Sequence, residues 1–364
     1  MKGGFTICLL FTSLIGWAET HTVGLQKKFT RIQDALRAAA AGDTILVYPG
    51  VYHEGNLAIR KPIVLKGIGY PVLDGDHRVE IISVYAAGTV IDGLLLQHSG
   101  VSSLEDFAGI KIYNVGYVQI LNNRLDDCFF GIYSQYGHHL MIRNNRLQAF
   151  AKQEQQSGNG IHCWKSDSLQ IIGNFITGHR DGIYFEFVTH SVICRNISQQ
   201  NLRYGLHFMF SNNDLYASNR FEKNGAGVAV MYSNHVQMMS NDFRENWGDA
   251  AYGILLKEIS DSYIQGNRFE RNTSGIYMEG TSRIEVRRNR FRNNGWALKI
   301  QASCMDIVLE RNGFFSNSFD VGTNGSLVLN RFHHNYWDKY EGYDLNRDGI
   351  GDVPYRPVSL FGMI

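Results

Sequence analysis

Proline, cysteine and net charge are all scarce in this sequence. Its 364 residues include only 5 Pro against 38 Gly, and the formal net charge is +1. So small a charge argues against nucleic acid or an anionic membrane surface as the main binding partner. No Ser-, Gly- or Pro-rich stretch and no block of like charge divides the chain, so we predict one elongated domain.

Long apolar runs are missing beyond the N-terminus. Lys2 precedes an apolar run over residues 5–17, and small residues around Ala18 offer a cleavage site. This pattern predicts a signal peptide at residues 1–18 and export of the mature chain.

Four cysteines remain after the predicted signal peptide, Cys128, Cys163, Cys194 and Cys304. Because their spacing is that of neither metal ligands nor a disulfide framework, we expect small core residues, with one disulfide left open.

A fourteen-residue interval from glycine to asparagine recurs along most of the chain. The pairs are Gly109/Asn123, Gly131/Asn145, Gly160/Asn174, Gly182/Asn196, Gly205/Asn219, Gly227/Asn241, Gly253/Asn267 and Gly275/Asn289. Within each unit apolar residues alternate with a period of two, which indicates short strands. Glycine and asparagine tolerate left-handed backbone conformations and are expected at the turns, and stacked asparagines can hydrogen-bond in ladders. We predict an all-β, right-handed parallel β-helix with coils of about 22 residues.

Closing elements are expected at both ends of this solenoid. Residues 32–41 form an amphipathic segment followed by Gly42, which predicts an N-terminal capping helix. The solenoid is expected over residues 19–335, and Asn312 and Asn330 should continue the asparagine role after the glycine is lost. Residues 336–364 are expected to form a C-terminal cap.

The register also predicts which side chains face outward. Positions two and four after each repeat glycine leave the core, and there His207, Met209 and Met231 form the densest group of soft ligands. Thioether and imidazole donors select Cu(I). His162, two coils below, and Glu186, between them, are expected as further ligands. The alternative is that these side chains cover a flat face against which a loop or another protein packs.

Aromatic residues occupy the same outward columns, where a solvated sheet face normally carries small polar or charged residues. They are Tyr133, Trp164, Tyr184 and Tyr277. Exposed aromatic side chains are typical of interaction surfaces, so we expect them to bind a partner. The two long insertions, around residues 148–159 and 246–252, fall at one corner of the coil, where partner contacts are also expected.

A calcium loop is predicted near the C-terminus. From Asp344 onward, potential oxygen ligands stand at alternate positions and a glycine stands at the sixth, as in calcium-binding loops. The predicted ligands are Asp344, Asn346, Asp348, Ile350 and Asp352. The twelfth position is Tyr355 rather than Glu, so the motif is not a complete EF-hand. A structural Ca²⁺ is the prediction, and a turn held by side-chain hydrogen bonds is the alternative.

The remaining histidines and carboxylates favour no catalytic site. His139, His190 and His235 share one column and are expected to be turn residues, whereas the adjacent His333 and His334 should diverge on a strand. Polysaccharide-acting β-helices need paired carboxylates, or an Arg or Lys base beside clustered Asp that hold calcium. Here Glu186 and Glu279 lie about four coils apart, and Asp181 has no evident partner. We predict no enzyme; a lyase, hydrolase, epimerase or carbohydrate binder remains the alternative.

Two blocks of sequence are typical of one known family. One is Ile-Gln-Asp-Ala-Leu at 32–36 with Gly-Asp-Thr-Ile-Leu-Val-Tyr-Pro-Gly at 42–50; the other runs from Asn335-Tyr336-Trp337-Asp338 to Pro354-Tyr355. With the repeating coils between them, these blocks resemble the NosD family. The resemblance implies a periplasmic, non-enzymatic factor that supplies copper to apo nitrous oxide reductase. Its implied partners are an ABC-type permease with its ATPase and a lipoprotein copper chaperone. The permease would be its only contact with the membrane. A metal-free docking scaffold and sulfur delivery remain alternatives.

Overall fold

The computed structural model of the chain describes residues 18–102 and 105–358, so the predicted signal peptide lies outside them except for Ala18. Three parallel sheets wind into a solenoid, and each coil passes through sheet 3, sheet 1 and sheet 2 in turn. Sheet 1 contains Thr20–Val23, Thr44–Val47, Val64–Gly67, Val90–Asp92, Gln119–Leu121, Met141–Arg143, Gln170–Ile172, Val192–Cys194, Leu215–Ala217, Gln237–Met239, Ser260–Gln265, Ser282–Arg287, Val308–Glu310 and Arg331–His333. Sheet 2 contains Val51–Tyr52, Val72–Asp74, Leu95–Gln97, Arg124–Asp126, Arg146–Gln148, Phe175–Thr177, Ile197–Gln199, Arg220–Glu222, Asp242–Arg244, Arg268–Glu270, Arg290–Arg292, Gly313–Phe315 and Tyr336–Trp337. Sheet 3 contains Leu57–Ile59, Ile82–Val84, Ala108–Tyr113, Phe130–Gln135, Ile161–Trp164, Ile183–Glu186, Tyr204–Met209, Ala226–Met231, Tyr252–Lys257, Ser274–Glu279, Trp296–Ile300 and Phe319–Gly322. The predicted parallel β-helix is confirmed.

The capping helix is present but shorter than expected. It spans Ile32–Ala38 and buries Ile32 and Ala35 against the first coil. Ala39 is already extended, because the carboxylate of Asp43 accepts the backbone N–H of Ala40 at 2.7 Å and holds the chain in a turn. A short 3₁₀-helix, Glu154–Gln156, lies in the first long insertion.

The solenoid interior is a continuous apolar core with a stack of aromatic rings. The stacked rings, which follow one another in adjacent coils of sheet 2, are Phe221, Phe243, Phe269, Phe291, Phe314 and Trp337. The centroids of Phe243 and Phe269 are 4.8 Å apart with an interplanar angle of 5°. Such stacking is possible only when successive coils keep the same register.

The repeat glycines are needed for close approach of coils rather than for a left-handed turn, so that part of the expectation was wrong. Gly205 and Gly227 do not have positive φ. A Cβ added at Gly205 would lie 2.6 Å from the carbonyl oxygen of Gly227 in the next coil. The left-handed residue is instead the one before each ladder asparagine, such as Asn122 (φ 53°) or Arg195 (φ 56°).

The predicted asparagine ladder runs along the corner between sheets 1 and 2 and is buried. Its members are Asn123, Asn145, Asn174, Asn196, Asn219, Asn241, Asn267, Asn289, Asn312 and Asn335. The Oδ1 of Asn219 accepts the backbone and side-chain N–H groups of Asn196 at 2.9 and 3.0 Å. Asn335 rather than Asn330 ends the ladder, because Asn330 accepts the N–H of Ile307 at a different turn.

A second ladder, which sequence reasoning missed, lies at the corner between sheets 2 and 3. It consists of Asn201, Asn224, Asn246, Asn272, Asn294 and Asn317. His179 stands at its start, where its backbone N–H donates to Asn201. The imidazole of His179 is 1% exposed, and burial lowers its pKa to about 3. The two ladders satisfy buried backbone groups at two of the three corners.

Removal of one ladder amide should destabilise the solenoid measurably. In Asn219→Ala the N–H groups of Asn196 and the carbonyl of Ile193 lose their partners inside the core. We expect a loss of about 3 kcal/mol in the free energy of unfolding, measured by urea denaturation, because buried unpaired groups are costly. The exposed amide in Gln237→Ala is the control and should change stability by less than about 0.5 kcal/mol. Equal losses in both variants would contradict a ladder role.

Neutral burial of His179 should make the fold sensitive to acid. Its folded pKa of about 3 lies below the unfolded value, so the unfolded chain binds an extra proton once the pH falls below about 6.5. Above that pH, His179 does not lower the free energy of unfolding. Below it, the free energy of unfolding falls by about 1.4 kcal/mol per pH unit down to about pH 3. Since asparagine fills the rest of this column, His179→Asn should reduce by about 2 kcal/mol the stability lost between pH 7 and pH 5. The exposed His190→Asn is the matched control, and an unchanged pH dependence of His179→Asn would refute the assignment.

Candidate functional site

Strand pairing in sheet 3 confirms the outward columns that the register predicted. The column two residues after the glycine contains Lys111, Tyr133, His162, Tyr184, His207, Ala229, Leu255 and Tyr277. The column four residues after it contains Tyr113, Gln135, Trp164, Glu186, Met209, Met231, Lys257 and Glu279. We call this outer surface of sheet 3 the His/Met face.

His207 lies at the centre of this face but is largely covered. Its side chain is about 7% exposed, and its ring packs against Tyr184 and Tyr204 with centroid distances of 4.7 and 4.8 Å. Nδ1 lies 3.5 Å from the carboxylate of Asp181. Nε2 has no hydrogen-bond partner among the described residues. A carboxylate at one ring nitrogen and a free second nitrogen are the usual arrangement of a metal-binding histidine.

Asp181, which the sequence left without a partner, is held by Arg203. The guanidinium of Arg203 donates to both carboxylate oxygens, at 3.1 and 2.9 Å. Burial pushes the pKa of Asp181 upward, but the hydrogen bond from His207 and the charge of Arg203 outweigh it and lower that pKa. Asp181 is therefore an anion that positions His207. The long separation in sequence hid this trio, because Asp181 precedes one strand of sheet 3 and Arg203 the next.

His162 is not brought to His207. The ring of Tyr184 lies between them, 4.8 Å from His162 and 4.7 Å from His207 between centroids. Tyr133 stacks on the other side of His162 at 4.4 Å. Burial, with the nearby charge of Arg180, lowers the pKa of His162 to about 3, so the imidazole is neutral. The two histidines cannot share one ion without displacement of Tyr184.

Met209 and Met231 lie side by side on adjacent strands, as predicted. They are register partners, and Glu186 pairs with Met209 from the coil below. Tyr184 donates its hydroxyl to the sulfur of Met209 at 3.5 Å. Burial raises the pKa of Tyr184 to about 12, so this hydroxyl keeps its proton. The two thioethers and Glu186 thus line the half-exposed column beside the buried His207.

An exposed aromatic stack borders the thioethers, and sequence reasoning missed it. Phe187, Phe210 and Tyr232 follow their strands at the turn from sheet 3 to sheet 1 and are 44%, 39% and 41% exposed. Successive ring centroids are 5.1 Å apart. Each residue directly follows a member of the Glu186/Met209/Met231 column, which is the signal that could have revealed it.

The predicted partner-binding aromatics divide into covered and accessible residues. Tyr133 is only 5% exposed, because Phe130 and His162 pack against it. It therefore offers no surface for a partner. Trp164, Tyr184 and Tyr277 are half-buried. Glu154 in the first long insertion reaches to 4.0 Å from Arg203, so this insertion partly covers the face.

The predicted calcium loop adopts a compact turn. The carboxylate of Asp344 accepts the backbone N–H groups of Asp348 and Gly349 at 3.2 and 2.9 Å. Asn346 accepts the same N–H of Asp348 at 3.1 Å, and Asp352 accepts the N–H of Leu345 at 2.6 Å. Gly349 has φ of +83°, the left-handed conformation that the sixth position of such a loop requires.

Other histidines behave partly as expected. His139, His190 and His235 have φ of 51°, 52° and 53° and are turn residues, as predicted. The expectation that His333 and His334 diverge was wrong. A positive φ of 54° at His334 turns its ring, and the two Nδ1 atoms lie 3.2 Å apart.

Histidines and carboxylates gather elsewhere on the surface. Within the described residues, three groups have ligand atoms that all lie within 4.8 Å of one another: His77/His98/Asp127, His53/Asp74/Asp76 and Glu310/His333/His334. Neither the His/Met face nor the calcium loop is one of them. The four cysteines expected in the core are unpaired; Cys128, Cys163 and Cys304 are buried and Cys194 is half-buried.

Comparison with solved structures supports the fold alone. The A-module of the Azotobacter vinelandii mannuronan C-5 epimerase AlgE4 superposes with a TM-score of 0.57 and 16% identity, over 84% of this chain and 88% of that one. A family 28 exopolygalacturonase of Yersinia enterocolitica gives a TM-score of 0.57 and 10% identity, over 88% and 78%. Identities this low carry no information on activity.

Comparison with curated protein sequences and with family models identifies relatives of this chain. A Stutzerimonas stutzeri protein named probable ABC transporter binding protein NosD is 25% identical over 337 residues, which are 85% of this chain and 74% of that protein. A Pseudomonas aeruginosa protein of the same name is 28% identical over 151 residues, 41% of this chain and 35% of that one. No helix in residues 18–102 or 105–358 is long and apolar enough to cross a membrane. The family model described as periplasmic copper-binding protein (NosD) matches residues 148–342. Since that match covers more than half of its sequence, the chain belongs to the NosD family.

Proposed function

We propose that this protein is a periplasmic factor that accepts Cu(I) on the His/Met face and delivers it to apo nitrous oxide reductase. One observation carries the proposal: Met209 and Met231 pair across adjacent strands beside His207, whose Nε2 has no partner in the described chain. Two thioethers and one imidazole form a soft donor set that suits Cu(I) and disfavours hard cations. The family description as a copper-binding protein supports the same metal.

The surroundings of the three donors suit an ion that is passed on to a partner rather than one that stays bound. Nδ1 of His207 faces Asp181 and Arg203, each at 3.5 Å, so Nε2 is the ring nitrogen left for a metal. Met209 already accepts a hydrogen bond from Tyr184, which a bound ion would have to displace. Because Met209 and Met231 are half-buried side chains on a rigid sheet, an ion can arrive at the thioethers from a partner that docks on this face, and leave the same way.

The exposed stack of Phe187, Phe210 and Tyr232 is the surface on which we expect that partner to dock. Aromatic side chains are enriched at protein interfaces, and this stack borders the two thioethers. We propose that a lipoprotein copper chaperone and the reductase use it in turn, and that an ABC transporter is a further partner, as the names of two relatives suggest. The same stack favours a second candidate, a metal-free docking scaffold.

Loss of the two sulfurs should weaken Cu(I) binding while the fold is kept. We expect Met209→Leu/Met231→Leu to reduce Cu(I) affinity at least tenfold, or by about 1.4 kcal/mol. Leucine preserves the volume and removes only the donors. The measurement is anaerobic competition against a chromophoric Cu(I) chelator, followed by the copper content of the reductase matured with each variant.

Met305→Leu is the matched control, because Met305 is 46% exposed and lies on another turn. Its affinity should equal that of the wild type. Equal affinity of the double variant would refute the His/Met site. A wild type that binds no Cu(I) yet forms complexes with the chaperone and the reductase would establish the scaffold instead, and turnover of an acidic oligosaccharide would establish the enzyme alternative.

We also propose that the loop from Asp344 to Asp352 binds a structural Ca²⁺. Asp344, Asn346 and Asp348 offer side-chain oxygens, the carbonyl of Ile350 follows, and Asp352 completes the alternating set. The hydrogen bonds from Asp348 and Gly349 to Asp344 already hold the loop in a turn. The loop would stabilise the end of the solenoid.

Calcium should bind weakly and depend on Asp344. We expect a Kd on the order of 0.1–1 mM by calorimetry, as for extracellular calcium modules. Asp344→Asn should remove most of this binding, and the protection of residues 338–358 from proteolysis in calcium should disappear with it. Glu341→Gln, an exposed acidic residue just outside the loop, is the control. Calcium affinity that is the same in both variants would contradict the proposal.

A further inference from the structure

Four successive turns at one corner of the N-terminal coils each present a potential metal ligand. The corner is the one between sheets 2 and 3, where His53, His77, His98 and Asp127 follow the strands Val51–Tyr52, Val72–Asp74, Leu95–Gln97 and Arg124–Asp126. Neighbouring coils are about 4.8 Å apart, so turn residues that are distant in sequence come within reach of one another. We infer that this corner holds a divalent transition-metal ion, with His77, His98 and Asp127 as ligands.

The three ligand side chains converge without an ion. One ligand atom from each of His77, His98 and Asp127 lies within 4.8 Å of the other two. The two imidazole rings are 4.5 Å apart between centroids. Zinc or copper bonds of about 2.0–2.2 Å would place ligand atoms roughly 3–3.5 Å apart. His77 is exposed, so rotation of its side chain toward His98 and Asp127 can reduce that difference.

Asp74 positions His98 for metal binding. Both of its carboxylate oxygens lie 3.1 Å from Nδ1 of His98, and its side chain is only 10% exposed. Gln97 and the backbone N–H of Asp76 also donate to Asp74, at 2.7 and 2.9 Å, and fix its orientation. With Nδ1 bonded to this carboxylate, Nε2 is the atom left for an ion, as in metal-binding histidines generally.

A second carboxylate–histidine pair lies directly below. Asp76 contacts Nδ1 of His53 at 2.8 Å, and these two residues with Asp74 form another group whose ligand atoms lie within 4.8 Å of one another. Arg78 is 3.4 Å from Asp76 and neutralises part of its charge. The carboxylates of Asp74, Asp76 and Asp127 would offset the charge of a divalent ion at this corner.

The donor set selects a different ion from the one proposed for the His/Met face. Two imidazoles and a carboxylate, without sulfur, suit Zn²⁺, Ni²⁺ and Cu²⁺, with Cu²⁺ bound most tightly in the usual order of affinities. His77 is exposed, so an ion can enter from solvent and a fourth position stays open. This corner site is independent of the His/Met face, since no thioether contributes to it.

Zn²⁺ titration of the untagged protein tests the site. Calorimetry is performed in a His53→Gln/His333→Gln/His334→Gln background, because His53/Asp74/Asp76 and Glu310/His333/His334 are the other two groups that could bind the ion. One Zn²⁺ per chain is expected. His98→Gln and Asp127→Asn should each weaken binding at least tenfold, and Asp74→Asn by roughly 10–100-fold through loss of positioning.

His190→Gln is the matched control, because His190 is also an exposed turn histidine with a carboxylate, Asp167, 3.0 Å from Nδ1. Its Zn²⁺ affinity should equal that of the parent, as should that of Met209→Leu/Met231→Leu. Electron paramagnetic resonance of the Cu²⁺ form should show hyperfine coupling to two imidazole nitrogens, reduced to one in His98→Gln. No Zn²⁺ binding by the parent, or equal weakening in His98→Gln and His190→Gln, would overturn the site.

Discussion

The stacking of buried asparagine amides is the interaction on which the rest of the structure depends. Each ladder amide accepts from the coil on one side and donates to the coil on the other, as Asn219 does with Asn196 and Asn241. A shift of register by one residue would leave every such group unpaired in an apolar interior, at about 1–3 kcal/mol each. The repeat glycines reinforce this constraint, because a side chain at Gly205 would collide with the next coil.

A fixed register converts spacing along the chain into chemistry on a surface. Residues about one coil apart in sequence become neighbours in space. Met209 is therefore the register partner of Met231, and a ligand atom of His98 lies within 4.8 Å of one of Asp127. The His/Met face offers thioethers beside an imidazole whose Nδ1 faces a carboxylate, whereas the corner between sheets 2 and 3 offers imidazoles with carboxylates. The scaffold itself is shared with epimerases and hydrolases, so the fold alone does not define what this chain does, and its chemistry depends on the side chains in these columns.

Burial decides how each of these histidines can act. His162 on the outer face of sheet 3 and His179 at the corner between sheets 2 and 3 are both buried, and desolvation keeps them neutral. His207 is also covered, but it differs in that the anion Asp181 lies 3.5 Å from its Nδ1. His77 and His98 are accessible to solvent to different degrees. The same residue type therefore lies in the packing, beside a buried anion or at an exposed turn according to its place in the coil.

The sequence alone determined the architecture, because a parallel β-helix repeats one local pattern whose period is visible without any long-range information. It also determined the outward columns, and so the pairing of Met209 with Met231, since strand alternation fixes which side chains leave the core. Only the tertiary structure decided what lies between and beneath those positions. Tyr184 separates His162 from His207, Arg203 holds Asp181, and Asn335 rather than Asn330 ends the ladder. It also brought His53, His77, His98 and Asp127 to one corner, because the first coils vary in length and their turns come into line only when the coils are stacked.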